Sequence, residues 1–122
     1  MYLYHASNFL FDKLEIKGPR PGMSNNGLLG IWTSLAPKAY MKGFGKHMYQ
    51  VDVPNDWREW VVPLGFIAWG GSGASDKFMT EWRECLVKSY DALALKEGNG
   101  RIEQIIIVNP DVIRGVERIV WP

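Results

Sequence analysis

The run Ile105-Ile106-Ile107-Val108 is apolar without interruption. A strand built from it has no polar face to turn to water, so it must be covered on both sides. This places a strand over residues 101–108 in the middle of a sheet, stopped by the turn signal Asn109-Pro110. Candidate neighbours are short. Residues 2–5 are aromatic and β-favouring and end at the polar Ser7-Asn8, and residues 28–33 form a second strand. Residues 49–53 alternate and stop at Pro54-Asn55. Glu84-Cys85-Leu86-Val87-Lys88 reads as a strand headed by a carboxylate, and residues 115–121 close the chain as another. Ser34 has the character of a helix N-cap, with Pro37 in the first turn and Gly43 as terminator, which predicts a short helix over 35–42.

Residues 17–27 and 70–75 are dense in turn formers and read as loops, while 57–69 is ambiguous because Pro63 and Gly65 break its apolar run. No repeat or linker divides the chain. The expectation is one α+β domain over residues 1–122, mainly β, with one or two short helices.

Composition limits the function classes. Hydrophobic residues make up 47% of the chain and charged residues 22%, enough for a core under an ordinary polar surface. The formal charge of +1 has both signs interleaved, so nucleic acid is not indicated by charge, although a narrow basic cleft is compatible with it. Cys85 is the only cysteine, which excludes an internal disulfide and a cysteine metal cluster and suits a reducing cytoplasm. His5 and His47 with scattered acids match no ligand spacing, so no metal is expected. The start of the chain lacks the basic, apolar pattern of a signal peptide, and no apolar run approaches the roughly 20 residues that cross a bilayer.

Four features could carry chemistry. His5 and Ser7 are two residues apart on a strand and share a face; a histidine there can orient a sugar hydroxyl or an amide, or simply be structural. Gly30-Ile31-Trp32-Thr33-Ser34 sets an aromatic ring and two hydroxyls before a helix start, and Trp32 or Tyr40 could stack on a flat heterocycle. Glu84 next to Cys85-Leu86-Val87 is costly to bury unless it is partnered or edges a cleft. The glycine-serine loop before it is a linker or a substrate-recognition lid. The chain has no G-x-x-x-x-G-K-[ST], H-E-x-x-H or G-x-S-x-G sequence.

Taken in order, these pieces resemble the ADP-ribosyltransferase superfamily over nearly the whole chain. Leu3-Tyr4-His5-Ala6-Ser7 resembles the family's first motif, a strand ending in Tyr-His-Gly-Ser/Thr. Gly30-Ile31-Trp32-Thr33-Ser34 with Ala36-Pro37-Lys38-Ala39-Tyr40 resembles the second, and Glu84-Cys85-Leu86-Val87-Lys88 the third, in which Glu opens a strand. Residues 108–116 resemble the tail of many members. The resemblance is to the His-Tyr-Glu branch, which includes diphtheria-toxin-like and poly-ADP-ribose-polymerase-like members. Ala6 stands where Gly is usual and Trp32 where Tyr is usual, while Thr33-Ser34 is similar to the arginine-modifying branch.

The resemblance implies a split β-sandwich with short helices and a mono-ADP-ribosyltransferase, a glycosyltransferase that cleaves NAD at the nicotinamide–ribose bond. It implies Glu84 and His5 as catalytic residues. The NAD-binding set would be His5, Ala6, Ser7, Trp32, Thr33 and Tyr40, with Trp32 or Tyr40 on the nicotinamide. NAD is substrate, and the acceptor, macromolecular or small, is open; the small size suits a toxin-like effector. An inactive NAD- or nucleotide-binding module of the same fold, and a protein-interaction domain using the tryptophans, are the alternatives.

Overall fold

A computed structural model describes residues 1–10, 13–16, 25–65 and 75–121. Its strands are β1 (Tyr2–Ser7), β2 (Ile31–Ser34), β3 (His47–Asp52), β4 (Glu59–Pro63), β5 (Ala92–Lys96), β6 (Ile102–Ile107) and β7 (Gly115–Ile119). They form one seven-stranded sheet in the order β4-β5-β6-β2-β1-β3-β7. Neighbours are antiparallel except β4 and β5, which are parallel. A parallel pair needs a crossover, and the α-helix among the described residues, α1 (Asp76–Leu86), lies in that connection. The class is α+β.

The apolar run of β6 is interior, with β5 on one side and β2 on the other. Ile105 and Ile107 join Leu3, Ile31, Val51, Ala92 and Ala94 in one buried cluster. Ile106 joins Leu29, Val62, Met79, Leu86, Leu93 and Leu95 in another. Alternate residues of β6 therefore serve opposite faces, and each face has its own cover.

The expected strand at 84–88 is not formed, because Glu84 and Cys85 belong to α1. Met79, Trp82 and Leu86 fall on one helical stripe, with Met79 and Leu86 buried and Trp82 packed against the same cluster. The Ser75 hydroxyl accepts from the Phe78 N–H at 3.0 Å as N-cap. The short triplet Cys85-Leu86-Val87 looks β-like, but the helical period over the longer segment wins. Strand β5, Ala-Leu-Ala-Leu-Lys, takes the sheet position instead, and the ambiguous stretch supplies β4.

The helix expected over 35–42 is a 3-10 turn at Ala39–Gly43. Ser34 is the last residue of β2 and caps nothing, since its hydroxyl donates across the sheet to the Glu103 carbonyl at 3.2 Å. The loop expected at 70–75 falls, up to residue 74, outside the described residues, as does most of that at 17–27.

A buried carboxylate ties several element ends together. Asp91, just before β5, is 6% exposed. Its Oδ2 accepts from the Arg58 backbone N–H at 3.0 Å, and its Oδ1 accepts from Arg58 Nη2 and Asn109 Nδ2, each at 3.0 Å. Arg58 also donates to the carbonyls of Val87 and Lys88 beyond α1, each at 3.2 Å. Burial pushes the Asp91 carboxyl up. The hydrogen bonds from the Arg58 side chain and backbone and from Asn109, with the guanidinium charge, outweigh burial and hold it below its ordinary value.

Two glycines are fixed by close approach. A Cβ on Gly30 would strike the Ile107 carbonyl and the Ile106 side chain, and one on Gly45 would strike the Ser7 backbone.

Two outcomes are expected. Because the folded Asp91 carboxyl lies below its unfolded value, its stabilisation is complete above about pH 4 and is lost as pH falls through the folded value. Urea unfolding at pH 7 should show Asp91→Ala destabilised by about 2 kcal/mol, and Asp91→Asn should flatten the acid limb of a melting-temperature profile. Gly30→Ala should cost about 1–3 kcal/mol by the same measurement, through overpacking of β2 against β6.

Candidate functional site

The strand β2 runs fully paired with β6, from Ile31–Ile107 to Ser34–Gln104. Its ladder with β1 is the bridge Tyr4–Ser34, whereas β1 pairs with β3 along its whole length. The two strands therefore part on the side of that bridge toward His5. The imidazole of His5 occupies the seam, its Nδ1 lying 2.7 Å from the Trp32 carbonyl oxygen. A carbonyl only accepts, so Nδ1 carries the proton and donates. A side chain stands where ladder hydrogen bonds would otherwise run.

Tyr4, Ser34 and Gln104 form one cross-strand row over β1, β2 and β6. His5 is the next residue along β1, and Glu103 precedes Gln104 on β6. The β5–β6 ladder is irregular here, because Leu95 faces Gln104 while Lys96 faces Ile102, leaving Glu103 with no residue opposite on β5. Such bulges re-aim a side chain. The Glu103 carboxylate, 26% exposed, lies 3.5 Å from Arg101 Nη2 and 4.0 Å from Lys38 Nζ. Its backbone carbonyl accepts from the Leu35 N–H at 3.0 Å.

The residues singled out in the sequence are distributed as follows. Ser7 is buried, and its hydroxyl accepts from the Phe9 N–H at 3.1 Å. Ala6 is opposite Met48 in the β1–β3 ladder. The Thr33 hydroxyl donates to the Ile105 carbonyl at 2.7 Å, so it fastens β2 to β6. Trp32 is partly buried against the cluster that holds Met79 and Leu86. Tyr40 is 46% exposed, and its hydroxyl accepts from Gln104 Nε2 at 3.3 Å. The structure thus brings His5, the Trp32 backbone, Ser34 and Tyr40 to one region.

Glu84 is elsewhere, exposed on α1 rather than at the head of a strand. Glu59 opens β4 at the edge of the sheet, and Glu103 is the second residue of the interior strand β6. Sequence reasoning passed over Glu103 because it lies inside a segment read as one central strand. The signal was an acid beside a continuous apolar run, a combination that needs a special environment.

Among the described residues, no three or more His, Cys, Asp or Glu side chains are grouped as metal ligands. No helix among them is long and apolar enough to cross a membrane. A shallow depression beside Lys96 and Glu97, lined also by Val61, Val62 and Pro63, lies at the β4–β5 edge, away from β1 in the strand order.

No family model matches the chain, and no curated protein matches it. Among solved structures, the chain is similar to one described as the crystal structure of an anti-CRISPR protein. The likeness has a TM-score of 0.56 at 12% identity and covers 98% of this chain and 95% of that one. At that identity the likeness is one of fold, and it extends over essentially all of both molecules.

Proposed function

We propose that this chain is a mono-ADP-ribosyltransferase whose NAD site opens where β1 parts from β2. The observation that carries this reading is His5 bonded to the Trp32 carbonyl within that seam, on the strand end that resembles the family's first motif. In this reading the sheet works as a split β-sandwich, with β4-β5-β6-β2 and β1-β3-β7 as its two parts.

The resemblance calls for a glutamate that opens a strand. Glu84 is in a helix and Glu59 opens β4 at the far edge of the sheet, whereas Glu103, the second residue of β6, stands near the start of the strand beside β2. We therefore assign Glu103 the carboxylate role in place of Glu84. It would hold the ribose 2′-hydroxyl of NAD and stabilise the positive charge that grows on the ribose as the bond to nicotinamide breaks. Nicotinamide leaves with the bonding pair, and the acceptor nucleophile bonds to the same ribose carbon. His5 would orient a ribose hydroxyl, with the Ala6 backbone holding the carboxamide and Ser7 shaping the strand end. Of the two aromatic candidates, Tyr40 suits stacking on nicotinamide, because Trp32 is engaged in the core. In this reading NAD and the acceptor are the substrates, no metal is called for, and the activity suits a cytoplasmic effector.

The fold shared with an anti-CRISPR protein favours a second reading, in which the chain binds and blocks a CRISPR effector without chemistry. It also makes such an effector the first acceptor to test.

Incubation with NAD and chromatography of released nicotinamide distinguish these readings. Glu103→Gln should slow release by about 10²–10³-fold, while Glu84→Gln should match the parent. Loss in Glu84→Gln with retention in Glu103→Gln would reverse the assignment. Absence of both release and calorimetric NAD binding, with or without a CRISPR effector, would remove the transferase reading.

A further inference from the structure

The charge of the chain is nearly balanced, but one stretch is not. Between Lys38 and Lys46 the sequence holds three lysines and no acid. The same stretch exposes two rings, Tyr40 at 46% and Phe44 at 59%, packed edge to face at 6.3 Å. Their support is stiff. The Phe44 N–H donates to the Met41 carbonyl at 2.9 Å, Met41 is buried, and Gly45 abuts the Ser7 backbone.

The end of the chain holds two of the lysines in place. Lys42 Nζ lies 5.5 Å from the centre of the Trp121 ring, and Trp121 Nε1 donates to the Lys46 carbonyl at 3.1 Å. The Lys46 N–H in turn donates to Asn8 Oδ1 at 3.1 Å. Lys38 is drawn toward Glu103, so the outward charge beside Phe44 is that of Lys42 and Lys46.

We propose that this turn is a docking surface for single-stranded nucleic acid, with a base stacked on Phe44 and the flanking phosphates on Lys42 and Lys46. An exposed ring packed edge to face on a second ring offers a face on which every base can stack. Exposed lysines on either side of that ring in the sequence supply cations for the phosphates of a strand. Duplex DNA hides the faces of its bases and uses only the lysines. An acidic protein segment likewise complements the lysines and leaves Phe44 unused. The surface needs neither NAD nor Glu103, so it goes beyond the transferase reading and stands if that reading fails.

The test is fluorescence anisotropy of the full chain with a labelled oligothymidylate of about 15 nucleotides. Affinity should fall linearly on a log–log plot against salt. Phe44→Ala should weaken binding by about tenfold, and the pair Lys42→Glu with Lys46→Glu should abolish it. A duplex of the same length should bind more weakly. Lysine acetylation followed by mass spectrometry of the parent chain reads the same surface without any variant. The oligonucleotide should slow acetylation of Lys42 and Lys46 and leave Lys77 unchanged. The proposal is overturned if the parent fails to bind at about 50 mM salt, or if Phe44→Ala binds as the parent does. It is also overturned if Lys42 and Lys46 gain no protection, or if polyglutamate binds in preference to the oligonucleotide.

Discussion

The covering of β6 on both faces is the constraint on which the rest of the structure depends. Ile105 and Ile107 on one side and Ile106 on the other need separate apolar partners. Only an interior position supplies them. Helix α1 covers one face through Met79 and Leu86, while Leu3 of β1 and Val51 of β3 enter the cluster on the other. The tie at Asp91 then joins the start of β4, the end of α1 and the start of β5. Charge is used there to register elements, and the apolar clusters provide the bulk of the cohesion.

Strand β2 is where this frame offers a candidate site. It is committed to β6 by its full ladder and by the Thr33 and Ser34 hydroxyls. Its link to β1 includes the bridge Tyr4–Ser34 and the His5 imidazole. A sheet interior normally has its polar backbone groups paired along its length. Here the seam holds a polar side chain, His5, between well-anchored strands, while the Glu103 carboxylate, beyond the Tyr4–Ser34–Gln104 row, pairs with Arg101 and Lys38. Rigid surroundings of this kind preorganise a binding geometry better than a loop does.

Much of the sheet could be read from the sequence. The continuous run of β6, the alternation in β3, and the short β1 and β7 each leave a local pattern. Strand β5 did not, because Ala-Leu-Ala-Leu alternates between two buried faces and alanine favours helices. Helix α1 was hidden for the opposite reason, its apolar stripe being spread over Met79, Trp82 and Leu86 while Cys85-Leu86-Val87 mimics a strand. His5 was legible as a residue at a strand end, but its bond to the Trp32 carbonyl depends on pairing between distant segments. Glu103 was visible as a charge and not as a site, since a bulge arises from the register of two strands and leaves no mark on either one alone. The exposed pair Tyr40 and Phe44 follows from a 3-10 turn where a helix was expected.

The distance in sequence between β2 and β6 has a bearing on how the molecule comes into being during synthesis. Strands β1 and β3 emerge early and can pair at once. The principal partner of β2, however, lies about 70 positions further along, as the Thr33–Ile105 bond shows (sequence separation 72). Until that segment is made, the apolar residues of β2 lack their ladder to β6. Such long-range pairing makes closure late and cooperative. The nascent chain therefore gains its seam, and any binding site there, in the same step that completes its core.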